Sequence, residues 1–237
     1  MVIPAFNEAA RLPAYLRHVV EHFVAGGDAW DVVVVDDGSM DDTSGCVLKM
    51  GARHPQVRLV RHSFNSGKGF AVQAGMRVAT GACRLFADAD GATPIAELKR
   101  LEAALVAGAD VAIGSRALAA PGVVVRTRAH RKAAGRAFNL LATWLGLEGL
   151  EDTQCGFKAF TAAAADDLFP RLTTKGFGFD VELLLRARAR GWRVDEVAVN
   201  WSDQDGSKIN VLTDGPAMLW QILTARHRMR REQGSAR

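Results

Sequence analysis

The sequence predicts an α/β fold: a doubly wound, mostly parallel sheet with helices on both faces. Three observations carry that expectation. Apolar, β-branched runs alternate with stretches of helical periodicity through the first half of the chain. One run, "WDVVVVDDGS", is continuously apolar, as a strand covered on both faces must be. Each run then opens at its carboxyl end into a polar loop, where open α/β sheets hold their ligands.

Taken in order, "VIP" at Val2–Pro4 reads as the first strand. A helix follows with Leu12, Leu16, Val19, Val20 and Phe23 at helical spacing. The valine run is the second strand, "TSGCVLKMGAR" a helix, and "VRLVRH" the third strand. "GKGFAVQAGMRVATG" is a helix closed by glycine, "CRLFADAD" a strand, "PIAELKRLEAALVAGA" a helix and "DVAIGSR" a strand. The second half is less regular. "RTRAHRKAAGRAFNLLATWLG" reads as a helix with a basic start, "DTQCGFKAFT" as a short strand and "GFDVELLLRARARG" as a helix. "WRVDEVAVNWSDQDGSK" is a strand running into a polar loop. The last helix is expected to begin at Asp214 as N-cap with Pro216 in its first turn, placing Met218, Leu219, Ile222 and Leu223 on one face ahead of a run of arginines. With no internal repeat or linker, residues 1–212 form one domain and 213–237 an amphipathic helix with a basic tail.

Composition narrows the classes. The 237 residues are 49% hydrophobic and 24% charged, as in a globular protein with a proper core. No apolar run approaches the roughly 18 residues of a membrane span, and there is no signal-peptide layout. The net charge of +4 matches the excess of five arginines over one glutamate between Arg226 and Arg237, so the body is about neutral. This argues against a broad nucleic-acid surface, which would spread Lys and Arg over a folded face. Cys46, Cys83 and Cys155 stand far apart, which fits a reducing, cytoplasmic setting rather than a zinc or disulfide framework.

Four strand ends would converge on one rim: "PAFNE", "VDDGSMDD", "DADG" and "GSR". The third is the most pointed, because Asp88 and Asp90 crowd two like charges where a buried strand ends. A solvated aspartate turn is the plain reading of such a pair. The alternative is a site for Mg²⁺ or Mn²⁺, which takes carboxylate oxygens and keeps positions open for substrate phosphates. "HSFNSGKGF" is not a Walker loop, since His62 replaces its first glycine and Gly69 the Ser/Thr after Lys68. It is not a dinucleotide fingerprint either, since Val72 stands at the third glycine. Lys68 is left as a phosphate contact or a plain surface lysine.

In order, "VIPAFNEAARL", "VVVVDDGSMDDT", "NSGKGFAVQAGM", "DADGATP" and "GSR" resemble the signatures of inverting nucleotide-sugar glycosyltransferases of the GT-A fold. In the second half, "EDTQCGFKAF", "GFDVELLLRARARGWRVDEVAVNW" and "DGSK" are similar to dolichyl-phosphate β-glucosyltransferases, with dolichyl-phosphate mannosyltransferases close behind. The resemblance covers Val2 to about Lys208. It implies that Pro4, Phe6 and Glu8 line a base and ribose pocket, Phe6 standing where tyrosine is usual. Val35 and Asp37 would meet uracil, and Lys68 the phosphates. Asp88, Ala89 and Asp90 would form the metal and diphosphate loop, with Ala92 where some relatives supply a further ligand. Arg116 would pair with phosphate. The first strand lacks the apolar lead usual in the family, so it is either short or preceded by residues not in this sequence.

The implied reaction is inverting, metal-assisted transfer of glucose from UDP-glucose to a polyprenyl phosphate. A phosphate monoester, with its second pKa near 6, is largely ionised at neutral pH, so cations to position it matter more than a strong base. Arg128, Arg131, Gln154, Ser207 and Lys208 are the candidate acceptor contacts, with Lys158 a further basic candidate. Asp152, Arg128 and Lys208 are the candidate catalytic residues, and Asp152 would be the base for a hydroxyl acceptor. Thr153 and Gln154 would hydrogen-bond the sugar, while Cys155 reads as packing. The last helix and its arginines suit an anionic membrane surface, which implies a peripheral enzyme at the cytoplasmic face. The rivals are another donor such as GDP-mannose, a glycan hydroxyl as acceptor, and a nucleotide-sugar-binding protein without turnover.

Overall fold

The structure is a computed structural model that describes residues 1–127, 139, 142–204 and 211–234. Five runs become β1 (Val2–Ala5), β2 (Val32–Asp36), β3 (Val57–Arg61), β4 (Cys83–Ala87) and β5 (Val111–Ser115). They alternate with α1 (Leu12–Gly26), α2 (Thr43–Gly51), α3 (Lys68–Val78) and α4 (Leu98–Val106). Then come β6 (Val125–Arg126), β7 (Phe157–Thr161), α5 (Ala162–Leu168), α6 (Phe179–Ala189), β8 (Val194–Ala198), β9 (Trp201–Ser202) and α7 (Val211–Gly234). Most of the expected basic-start helix lies outside the described residues.

Seven strands form one sheet in the order β3-β2-β1-β4-β7-β5-β8. All pairs are parallel except those of β7, which runs antiparallel to both β4 and β5. The valine run explains itself: all five residues of β2 are buried. Val33 and Val35 join Val2, Phe86 and Phe160 in a core that includes residues of α3, α5 and α6. Val32 and Val34 join Ile3, Leu85 and Phe157 in a second core that includes residues of α1 and α4. Strand alternation thus feeds two cores, one per face of the sheet.

Three local features depart from the expectation. Helix α5 was not anticipated, although Thr161 caps it by accepting a hydrogen bond from the Ala164 N–H at 3.2 Å. The strand through "VNW" breaks after Ala198, and Trp201–Ser202 pairs with Val125–Arg126 as a separate two-stranded ribbon. Helix α7 starts at Val211, not behind an Asp214 cap, so Pro216 lies inside it. The lost backbone bond is one rung in a helix of 24 residues that packs on the body.

Lys158 also differs from its expected role. It sits in β7 opposite Phe86, completely buried. Its ammonium donates to the Cys155 carbonyl at 2.6 Å and to Asp180 of α6 at 2.5 Å, and lies 5.3 Å from the centre of the Phe86 ring. It therefore ties the antiparallel strand to α6 and reaches no substrate. Truncation as Lys158→Ala should cost about 3–5 kcal/mol in urea unfolding, because Asp180 would stay buried with its main partner gone. Replacing both, Lys158→Met with Asp180→Leu, should recover most of that loss.

Candidate active site

The carboxyl ends of β1, β2 and β4 open into a cavity of about 550 Å³. Pro4, Phe6, Glu8, Asp37, Lys68, Asp88, Ala89 and Asp90 all line it. So do Arg11, Asn65 and Phe177, which sequence reasoning missed. Arg11 carried a usable signal: three residues after Glu8 at a helix entry, it can fold back onto that carboxylate.

The loop after β1 is lashed to the loop after β2. Asn7, with φ at 51°, donates its backbone N–H to Ser39 Oγ at 2.8 Å, and its side-chain Oδ1 accepts from the Met40 N–H at 2.8 Å. The N–H of Glu8 donates to Thr43 Oγ1 at 2.8 Å, and that of Ala9 to Asp41 at 3.0 Å. "FNEA" and "DGSMDDT" are therefore one structural unit, and the hydroxyls and acids of the second segment are mostly scaffold. Buried Asp36 likewise accepts from the Ser39 N–H at 2.8 Å and from Ser44 Oγ.

Asp37 holds the next loop. Its carboxylate accepts from the N–H groups of Ser66 at 3.0 and 3.1 Å and Gly67 at 2.7 Å, and contacts His62 Nδ1 at 2.7 Å. Gly67 is required there: at φ 102° a Cβ would lie 2.5 Å from the Lys175 carbonyl oxygen. The carboxylate is thus committed first to shaping the cavity wall. Val35 does not face the cavity, because its side chain is completely buried in the core beside α3. Only its backbone is left to meet a base.

At the end of β4, Asp88 and Asp90 face the cavity between two cations. Lys68 Nζ stands 2.6 Å from Asp88 Oδ1, and Arg11 Nη1 stands 3.9 Å from Asp90 Oδ2. Arg11 is itself held by Glu8 at 2.5 and 2.7 Å. Asp90 Oδ1 accepts from the Ala92 N–H at 3.0 Å, closing an aspartate turn. Burial and then the neighbouring Asp88 charge push the Asp90 pKa up from its ordinary value. Asp88 is placed by a close approach: a Cβ on Gly156 would lie 2.1 Å from its Oδ2. Two crowded carboxylates, one resisting ionisation, fit a hard divalent cation with oxygen ligands. Ala92 adds no donor, and no group of three or more His, Cys, Asp or Glu side chains placed to hold a metal ion occurs among the described residues. Among the described residues, Asp88 and Asp90 are therefore the two carboxylates placed to hold such an ion.

Arg116 and Asp152, expected to act separately, are joined in a forked ion pair. Arg116 Nε and Nη2 donate to Asp152 at 2.6 and 2.8 Å, and its backbone N–H adds a third bond at 2.9 Å. The guanidinium also lies 5.4 Å from the centre of the Trp201 ring. Neither residue lines the cavity. Burial alone would raise the Asp152 pKa, but the charge and hydrogen bonds of Arg116 outweigh it and hold the carboxyl below its ordinary value. It is a poor proton acceptor and a good anchor. Next to it, Thr153 Oγ1 and Gln154 Nε2 are buried with no hydrogen-bond partner among the described residues, which suits groups that contact a substrate. Cys155 is completely buried, and burial pushes its thiol up to about 12. It is a packing residue. Arg128, Arg131, Ser207 and Lys208 lie outside the described residues.

This sheet, with its acidic cavity at the strand ends, has the GT-A-like architecture of glycosyltransferases. Glucosyl-3-phosphoglycerate synthase of Mycobacterium tuberculosis, solved with Mn²⁺ and UDP-glucose, superposes with a TM-score of 0.71 at 20% identity over 95% of this chain and 77% of that one. Its complex with Mn²⁺, UDP and glucosyl-3-phosphoglycerate gives 0.68 at 20% identity, over 94% of this chain and 76% of that one.

The model of "Glycosyl transferase family 2" matches residues 1–169, and the chain belongs to that family and is a glycosyltransferase. Similar relatives are dolichyl-phosphate beta-glucosyltransferases. One from Trichomonas vaginalis is 38% identical over 89% of this chain and 65% of its own length. That from Saccharomyces cerevisiae is 34% identical over 95% and 73%, and that from Homo sapiens 34% over 88% and 68%. The chain thus spans about two thirds of the length of these relatives.

The Arg116–Asp152 pair makes a prediction about pH. Because the folded pKa of Asp152 is depressed, its contribution to stability is complete above the unfolded value near 3.8 and lost as pH falls through the lower folded value. Arg116→Gln should abolish that acid limb and move the Asp152 carboxyl titration upward, read by carbon NMR of the labelled side chain.

Proposed function

We propose that this chain transfers glucose from UDP-glucose to a polyprenyl, dolichyl-type phosphate, with inversion and with Mg²⁺ or Mn²⁺. The observation that carries the reading is the Asp88–Asp90 pair at the cavity floor, flanked by Lys68 and Arg11. The similarity to dolichyl-phosphate beta-glucosyltransferases supports the sugar and the lipid acceptor, and the likeness to a synthase solved with Mn²⁺ and UDP-glucose supports the donor and the ion.

Pro4 and Phe6 form an apolar wall for the base, and Asp37 fixes the loop that closes it. Asp88 and Asp90 would hold the ion, which would supply positive charge against the diphosphate. Lys68 and Arg11, already within reach of the acids, orient the diphosphate oxygens. Thr153 and Gln154 meet the sugar. A phosphate oxygen of the acceptor forms a bond to the anomeric carbon from the face opposite the departing UDP, which leaves with the electron pair of the broken carbon–oxygen bond. The nucleophile arrives ionised, so Asp152 need not accept a proton. Its task is to hold Arg116. Arg128, Arg131, Ser207 and Lys208 are assigned to anchoring the acceptor phosphate. A lipid acceptor places the enzyme at a membrane surface, and we assign the cytoplasmic face.

Incubation with UDP-glucose, Mn²⁺ and a short-chain polyprenyl phosphate should yield the glucosyl lipid. Asp90→Asn should lower the rate by about 10²–10³-fold. Transfer from GDP-mannose alone, or full turnover in the presence of a strong chelator, would overturn the assignment. Lys68→Met should have opposite effects on two ligands. Mn²⁺ alone should bind about tenfold tighter, by spin resonance, because the ammonium competes for Asp88, whereas UDP should bind more weakly.

A further inference from the structure

One exposed side of α7 combines apolar residues with arginines. Met218, Ile222, Ala225 and Met229 are buried, 9% exposed at most. The expected apolar face is therefore split. Met218 and Ile222 turn inward, whereas Leu219 and Leu223 are 36% and 42% exposed. They belong to a second stripe, in which Leu219, Trp220, Leu223, Arg226, His227 and Arg230 recur on one side of the helix about a third of a turn from the buried face. Trp144 stands across a groove of about 420 Å³ from Leu223, Arg226, His227 and Arg230, and the Arg226 guanidinium lies 5.8 Å from the centre of its ring. Trp144 and Trp220 are each 70% exposed.

We propose that this stripe, with Trp144, is a docking surface for an anionic phospholipid bilayer. Two exposed indoles suit the boundary between headgroups and acyl chains, and arginines beside them suit lipid phosphates. The groove is lined by no carboxylate. Glu232 is engaged elsewhere, 2.9 Å from Arg186 of α6. A second copy of the chain would bring arginines against arginines, so self-association is disfavoured by charge. The helix that carries the stripe also reaches the cavity's surroundings on another of its faces. Gln221, adjacent to Trp220, accepts from the Gly178 N–H at 3.4 Å and packs on Gly176, which lines that cavity with Phe177. The purpose of the surface rests on the acceptor proposed above, but its existence does not.

The test uses the full chain with vesicles of phosphatidylcholine alone or mixed with phosphatidylglycerol, without nucleotide or polyprenyl phosphate. Co-sedimentation should require phosphatidylglycerol and fall with added salt. Arg226→Gln with Arg230→Gln should reduce partitioning by about fivefold for each arginine. Trp144→Ala with Trp220→Ala should reduce it by about tenfold or more. UDP binding in solution should be the same for all forms, which shows that they are folded. Equal partitioning of wild type and both double variants would overturn the surface. So would a concentration-dependent dimer abolished by the tryptophan changes. Failure of UDP-glucose turnover with vesicle binding intact would count against the reaction and leave the surface standing.

Discussion

Two carboxylates at the end of a buried strand need positive charge near them, and much of the cavity is arranged around that need. Asp88 and Asp90 leave β4 on the same side of the sheet, where partial burial strengthens their mutual repulsion. The chain answers with Lys68 from the start of α3 and Arg11 from the start of α1. Each cation comes from a loop that other interactions fix: Asp37 shapes the loop before Lys68, and the hydroxyls and acids of residues 39–43 shape the one before Arg11. The acids of the second strand's loop therefore serve the acids of the fourth at one remove.

Behind the cavity a second charged pair lies deeper. Lys158 and Asp180 are in contact, and the charges of Lys158 and Lys68 both act on Asp180 without fully offsetting the upward push of burial on its pKa. Acid and base thus alternate from the solvent edge inward: Asp88, Lys68, Asp180, Lys158. Such an array rewards a fixed geometry, because a displaced member leaves its neighbour buried and uncompensated. It also explains why β7 can be antiparallel in an otherwise parallel sheet and still be firmly placed, since Lys158 joins it to α6 as well as to its flanking strands.

The parts of this protein written in local pattern were legible in its sequence. The valine run had to be covered on both faces, and it is. Asp88, Ala89 and Asp90 announced themselves by crowding, and three of the four expected strand ends met around one cavity, whereas the fourth, "GSR", is taken up by the pair of Arg116 with Asp152. What escaped were choices between equivalent local patterns. Periodicity showed which residues of α7 are apolar, but Met218 and Leu219 differ by only about 100° around the helix, and only the body decides which is inside. Lys158 and Lys68 look alike as basic residues beside glycines or strands, yet one is sealed in the core and the other opens to the cavity. Arg116 and Asp152 are 36 residues apart, and nothing in either segment forecasts a fork between them.

That fork bears on the chemistry. A carboxylate meant to take a proton is best kept near the working pH, with its basic oxygen exposed to the reacting group. Asp152 has the opposite surroundings: three donors from one arginine and a pKa held below its ordinary value. A hydroxyl acceptor would have to lose its proton to such a group, whereas a phosphate acceptor arrives without one to lose. The site is therefore better matched to an anionic nucleophile. For such a nucleophile the barrier lies mainly in holding two negatively charged groups together, and the cations around Asp88 and Asp90 answer to that problem.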